Sequence, residues 1–227
     1  MSERSESLLA TAAEADPAQL AAALMQSRQT ILPKRLVTPG PDAKQLDMIL
    51  RAAATAPDHR QLLPWRFVLV PLAARARLAG VFGAALLGRD AQATPEQVVQ
   101  AHEKAYRAPL LMLVVVNGAR GDAGVDLAER IVSTGGAVQN MLLMATALGF
   151  GSSLTSGKAL RSEGLRQLFG LAGSEHALCF ISVGTAQSHK PARQRPVPAD
   201  FVSTLSADGA VSGRESTADP LAASGHD

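Results

Sequence analysis

From Asp126 to Leu148 the chain reads as one long helix with apolar residues on nearly every side. Leu127, Ile131, Val132, Ala137, Val138, Met141, Leu142, Met144 and Leu148 leave it no broad polar face. Such a helix must be buried all round, in a core or at a subunit interface. Gly135 and Gly136 fall in its middle, where glycine costs helix stability and is useful only if another backbone comes close. Gly149 and Gly151 close the element. Whatever the chain folds into is therefore built around this helix.

The flanking pattern alternates helices and strands. Helical spacing runs over Pro17 to Met25, with Leu20 and Leu24 one turn apart, before Pro33, Pro39 and Pro41 break regularity. Asp42 to Ala56 carries Leu46, Ile49, Leu50 and Ala53 on one face and stops before Pro57. Trp65 to Val70 predicts a strand, Ala73 to Leu87 a helix, and Pro95 to Tyr106 a charged helix. Leu110 to Val116 predicts a buried central strand. Beyond the long helix come a short strand at Ser152 to Thr155, a helix at Ser162 to Phe169, and a strand from Ala177 to Val183 that ends at Gly184. A chain of 227 residues suits one domain with a full core. Residues 1–16 are expected to be a disordered lead-in, residues 17–205 the domain, and residues 206–227 a disordered tail rich in Ser, Gly, Ala and Asp. Strands with helices clustered between them predict one mixed α/β layer domain.

Composition removes several function classes. Apolar residues make up 47%, charged residues 19%, and the net charge is +2. With no basic stripe interleaved with aromatics, nucleic acid is not an expected partner. The short basic runs, Lys34-Arg35 and Lys190 to Arg195, read either as solvated surface or as a phosphate contact. Cys179 stands alone inside the run Ala177 to Val183, as expected for a small buried side chain in a reducing cytoplasm. Early acidic residues and the lack of an apolar core segment argue against a secretory leader, and no stretch is long and apolar enough to span a bilayer. No glycine-rich dinucleotide turn, P-loop, paired-histidine zinc motif or nucleophile elbow is present, and five scattered histidines with one cysteine suggest no metal cage.

Four segments, in order, carry a resemblance. They are Ser27-Arg28-Gln29-Thr30; Ala56-Pro57-Asp58-His59 leading to Pro64-Trp65-Arg66-Phe67; Val132 to Ala145 with Leu154-Thr155-Ser156-Gly157 beyond it; and Val183-Gly184-Thr185 followed by Lys190, Arg193 and Arg195. Over roughly Leu24 to Leu205 the chain resembles the nitroreductase family, in particular its short NAD(P)H nitroreductases. The resemblance implies an α+β fold: a mostly antiparallel, mixed sheet in an α/β/α sandwich with helices on both faces, assembled as an intertwined homodimer. The long helix would lie at the dimer interface, with Ala137, Met141 and Met144 in contact.

The same resemblance implies an FMN-dependent oxidoreductase. It places Arg28, Gln29 and Thr30 on the phosphate and ribityl chain, with Arg193 and Arg195 as further phosphate contacts. A guanidinium beside a hydroxyl suits a phosphate. It lines the flavin ring with Leu154, Thr155 and Ser156, brings His59 to it from the other subunit, and puts Thr55 near it as well. His59 is the only weak candidate for a catalytic side chain, and Trp65 is expected in the core. NAD(P)H would be the electron donor and a small nitroaromatic or quinone the acceptor, in ping-pong order, with the flavin carrying the chemistry. Gln29, Thr55 and Leu154 depart from the family's commoner residues. They leave open a non-catalytic or flavin-free relic of the fold, or another flavin reduction such as dehalogenation or ene reduction.

Overall fold

A computed structural model of the chain describes residues 16–188 and 194–212. The chain divides into two units, residues 1–189 and 190–227. In chain order the first unit holds α1 (Pro17–Ser27), β1 (Leu36–Val37), α2 (Ala43–Ala53), β2 (Trp65–Leu69), α3 (Arg75–Leu87), α4 (Pro95–Glu103), β3 (Leu110–Asn117), α5 (Leu127–Ala147), β4 (Gly151–Thr155), α6 (Glu163–Leu168) and β5 (Glu175–Ala186).

The sheet is organised by β5, which pairs antiparallel with β3, β4 and β1, while β2 lies antiparallel on the far edge of β3. One isolated parallel bridge, Thr30 to Ser152, adds the mixed character expected from the sequence. Successive side chains of β3 serve two cores, as strand geometry requires. Met112 and Val114 pack with Ile49, Ala53, Ala137 and Met141 of α2 and α5. Leu111, Leu113 and Val115 pack on the opposite face with Leu78, Leu165 and Phe180, under α3 and α6. Helices on both faces of an antiparallel sheet make this an α+β fold, and Trp65 sits in the first of the two cores as expected.

Local sequence explains where the helices begin. Asp42 and Gln45 form a reciprocal capping box at α2, with bonds of 2.8 and 3.0 Å. Thr94 and Gln97 repeat it at α4, and the Asp126 carboxylate accepts from the Glu129 amide at 2.9 Å to start α5. Among the described residues no helix is long and apolar enough to cross a membrane.

Four boundaries or placements differ from the sequence expectation. First, α2 ends at Ala53, and residues 54–56 close it in short turns. Second, α4 ends at Glu103 and tightens into a 3₁₀ turn over Lys104–Tyr106. Third, β5 runs through Gly184 to Ala186. Gly184 pairs with Gly151, and a Cβ there would lie 2.6 Å from the Pro109 ring, so this glycine permits a close approach and does not end the strand. Finally, α5 is buried on one face only. Ala137, Val138, Met141 and Leu142 belong to the chain's own core and Met144 packs against it, whereas Ile131 and Val132 remain 40% and 75% exposed. Ala137 and Met141 are therefore not free to form an interface.

In the second unit, a 3₁₀ turn at Pro198–Asp200 precedes a two-stranded hairpin, β6 (Thr204–Leu205) and β7 (Val211–Ser212). The Ser206 amide donates to the Ala210 carbonyl at 2.9 Å across its turn. The stretch read as the beginning of a disordered tail thus carries the hairpin's turn and second strand. Residues 1–15 and 213–227 lie outside the described residues.

Candidate active site

Three of the four sequence segments meet on β4. The Ile31 amide donates to the Ser152 carbonyl at 2.9 Å beside the Thr30 bridge, which lays the end of α1 along one edge of the strand. Arg28 caps α1, its amide donating to the Leu24 carbonyl at 3.2 Å. Arg28 and Gln29 are half-buried and Thr30 is exposed. On the other edge, Gly151 pairs with Gly184 and Ser153 with Ser182 of β5. A Cβ on Gly151 would stand 2.8 Å from the tip of the Leu36 side chain and 3.0 Å from Ile31, so a larger residue there would have to displace those side chains. The strand then delivers Leu154, Thr155 and Ser156 to the surface, all exposed.

Thr155 and Ser156 also line a cavity of about 340 Å³. Its floor is apolar, with Phe82, Leu111 and Phe180, and its rim carries Arg89, Lys104, Arg107 and Lys158.

Thr55 and His59 form a second group, anchored to α5. The His59 Nδ1 lies 2.6 Å from a Glu129 carboxylate oxygen, and Arg60 pairs with Asp122. Asp58 accepts from the Leu63 amide at 2.6 Å. Between them Arg60, Gln61 and Leu63 adopt left-handed backbone, with φ of 51, 55 and 48°. Such conformations are sparsely populated by non-glycine residues and persist where the surroundings over-determine them. The Thr55 hydroxyl donates to the Ala52 carbonyl at 2.8 Å and accepts from Asn140 at 2.9 Å. A Cβ on Gly136 would meet the Ala56 and Pro57 side chains at the ordinary contact distances of 3.5 and 3.6 Å, and one on Gly135 would meet nothing within 4 Å, so neither glycine answers to the close backbone approach expected in the middle of α5. Buried Arg130 fixes the loop before α5 by donating to the carbonyls of Asn117, Arg120, Asp122 and Val125. The Asp122 carboxyl is held below its ordinary value, first by the Gly124 amide and also by the Arg60 guanidinium. Among the described residues no hydrogen bond joins this group to the β4 group within one chain.

Sequence reasoning missed Glu129 and Asn140. Glu129 sits in the first turn of α5, where an acidic residue reads as helix-start chemistry and not as a histidine partner. Burial pushes the Cys179 thiol up to about 11, as for an inert buried cysteine. Arg193 lies outside the described residues, and Arg195 belongs to the second unit.

Arg28, Gln29 and Thr30 offer guanidinium, amide and hydroxyl donors in consecutive positions, the chemistry a terminal phosphate wants. Leu154, Thr155 and Ser156 offer an apolar edge and two hydroxyls to a ring system.

Comparison with known proteins agrees with this architecture. The model of the nitroreductase family matches residues 26–185. A relative from Escherichia coli K12, provisionally named an NAD(P)H nitroreductase, YdjA, is 35% identical over 155 residues, covering 67% of this chain and 82% of that one. A nitroreductase-like family protein from Bacillus cereus superposes with a TM-score of 0.66 at 17% identity, covering 80% of this chain and 93% of that one. A nitroreductase with bound FMN from Desulfitobacterium hafniense superposes with a TM-score of 0.59 at 19% identity, covering 82% and 97%. The class so defined is an oxidoreductase enzyme. The chain belongs to the nitroreductase family.

Proposed function

We propose that the protein binds FMN noncovalently and uses NAD(P)H to reduce small nitroaromatic or quinone acceptors in the cytoplasm, by ping-pong kinetics. The observation that carries this reading is the convergence of Arg28 to Thr30, Leu154 to Ser156 and Gly184 on one short strand. In this reading Arg28, Gln29 and Thr30 hold the phosphate and ribityl end. Leu154, Thr155 and Ser156 border the ring. In this reading the protein is a homodimer in which a second copy supplies His59. Exposed apolar residues on α1 and α5 support the same assembly: Leu20, Met25, Ile131 and Val132 all face outward.

Bound FMN supplies the two-electron exchange between donor and acceptor. In balance, one NAD(P)H and one proton convert a nitro group to a nitroso group and water, or a quinone to its hydroquinone. The chain's own residues position and shield. Glu129 fixes one ring nitrogen of His59, leaving Nε2 to orient the ring system or the acceptor. Acceptors of this kind can take protons from water, so His59 has a positioning role. Denaturing the purified, FMN-supplemented protein and separating the supernatant by chromatography tests the cofactor. FMN is the expected product, and FAD or no flavin would refute the reading.

A further inference from the structure

The cavity beside Thr155 and Ser156 has an unusual balance of charge. Arg89 follows α3, Lys104 and Arg107 flank the turn after α4, and Lys158 opens the turn after Gly157. No carboxylate lines the cavity with them. None of the four makes an ion pair among the described residues. Four unneutralised cations around a concave site repel one another and raise the local concentration of anions. Beneath them the floor is aromatic and aliphatic, with Phe82 and Phe180 in edge-to-face contact at 5.8 Å between ring centroids. A volume of about 340 Å³ lies at the small end of ligand pockets, roughly 300–1,000 Å³, and suits a single ring better than a dinucleotide.

We propose that this cavity recognises a single-ring aromatic acceptor bearing a carboxylate or similar anionic group, which the four cations hold while the ring lies on the apolar floor. The inference rests on the acceptor-reducing function proposed above and names its substrate class. Thr155 and Ser156 are shared between the cavity and the segment proposed to border the flavin, so a ring held there has its far end toward that segment. Most acceptor specificity then comes from charge outside the reacting group, and it weakens with salt as exposed charges are screened.

The test compares para-nitrobenzoate with its neutral isostere para-nitrobenzamide, on the FMN-supplemented protein and on Arg89→Gln, Lys104→Gln and Arg107→Gln variants, singly and combined. Equilibrium dialysis measures binding of each compound directly, and steady-state assays with NAD(P)H measure kcat/KM. The expected result is a preference for the benzoate of about tenfold, built from several partly exposed ion contacts of modest strength, which the combined variant loses. Equal treatment of the two compounds by the wild-type protein overturns the proposal. So does a parallel loss of FMN affinity in the variants, which assigns the cations to the flavin. A preference for NADPH over NADH that the variants abolish, without benzoate selectivity, overturns it as well and assigns them to the coenzyme's extra phosphate. A protein that binds para-nitrobenzoate selectively but retains no flavin and oxidises no NAD(P)H sinks the proposed function and leaves the anion-selective cavity standing.

Discussion

Arg28 occupies a position with two constraints: it terminates α1, and it stands two residues before the Thr30 bridge that ties the segment to β4. Arg28 as a residue is half-buried, and a charge contact strengthens as solvent is excluded from it. Arg28→Ala should weaken FMN binding by about 1.5–3 kcal/mol, the range for hydrogen bonds to charged groups. Titrating apoprotein with FMN checks this, and unchanged affinity would make Arg28 a helix end and nothing more. His59 presents the other case, a side chain whose role depends on its partner. With Glu129 fixing Nδ1, His59→Ala should weaken FMN binding while leaving the per-flavin rate of reduction by NAD(P)H nearly intact. If His59 instead donates a proton to the acceptor, the oxidative half-reaction slows by roughly 10²–10⁴ and loses a pH dependence present in the wild type. Stopped-flow measurement of the two half-reactions separates these outcomes. Wild-type affinity with both rates unchanged would take His59 out of the site.

At the scale of elements, β5 is the strand on which the fold turns, and Gly184 is its tightest point. A methyl group there would press on the Pro109 ring at 2.6 Å and on the Val37 carbonyl at 3.0 Å. Gly184→Ala should cost about 1–3 kcal/mol, as overpacking does, and should show as a lower midpoint in chemical denaturation. A variant as stable as the wild type would mean that β1 and the turn before β3 yield easily. The same residue marks where sequence reading stops working. A glycine after an apolar run signals a strand end equally well whether the chain turns away or a neighbouring ring needs the space, and only the partner, Pro109, distinguishes them. Long apolar runs, by contrast, were enough to place β3, α3 and α5, with run length and the flanking residues separating strand from helix. The turn from Arg60 to Leu63 was invisible for the opposite reason: its left-handed residues are Arg, Gln and Leu, held by Asp58, Asp122 and Glu129 and not by any propensity of their own. The four cavity cations escaped notice because they come from three turns far apart in the sequence, and charge clusters formed by folding leave no run in the sequence.

For the whole molecule, the telling feature is apolar surface without cover. Helix α1 buries none of its residues, and Leu20 and Met25 stand 57% and 54% exposed. A short helix is marginal without tertiary packing, so α1 is expected to be covered in the working assembly. Val132 on α5 adds to the same open surface. The expected state is a homodimer that stays associated at micromolar concentration, with an interface in the obligate range of roughly 2,000–5,000 Å². Light scattering that finds a folded monomer at that concentration contradicts this. Val132→Arg is the informative substitution: it lies outside the core, so it should impair assembly, whereas Ala137→Arg would break the core whatever the assembly.

The proposed function requires a bound flavin that NAD(P)H can reduce. The visible spectrum of the purified, FMN-supplemented protein, freed of unbound flavin and recorded before and after NAD(P)H is added without oxygen, tests that directly. The expected result is the absorption of bound oxidised flavin, bleached by the reduced nicotinamide and restored by a nitroaromatic or quinone. A folded protein that retains no flavin, or whose flavin stays oxidised in the presence of both NADH and NADPH, would contradict the account.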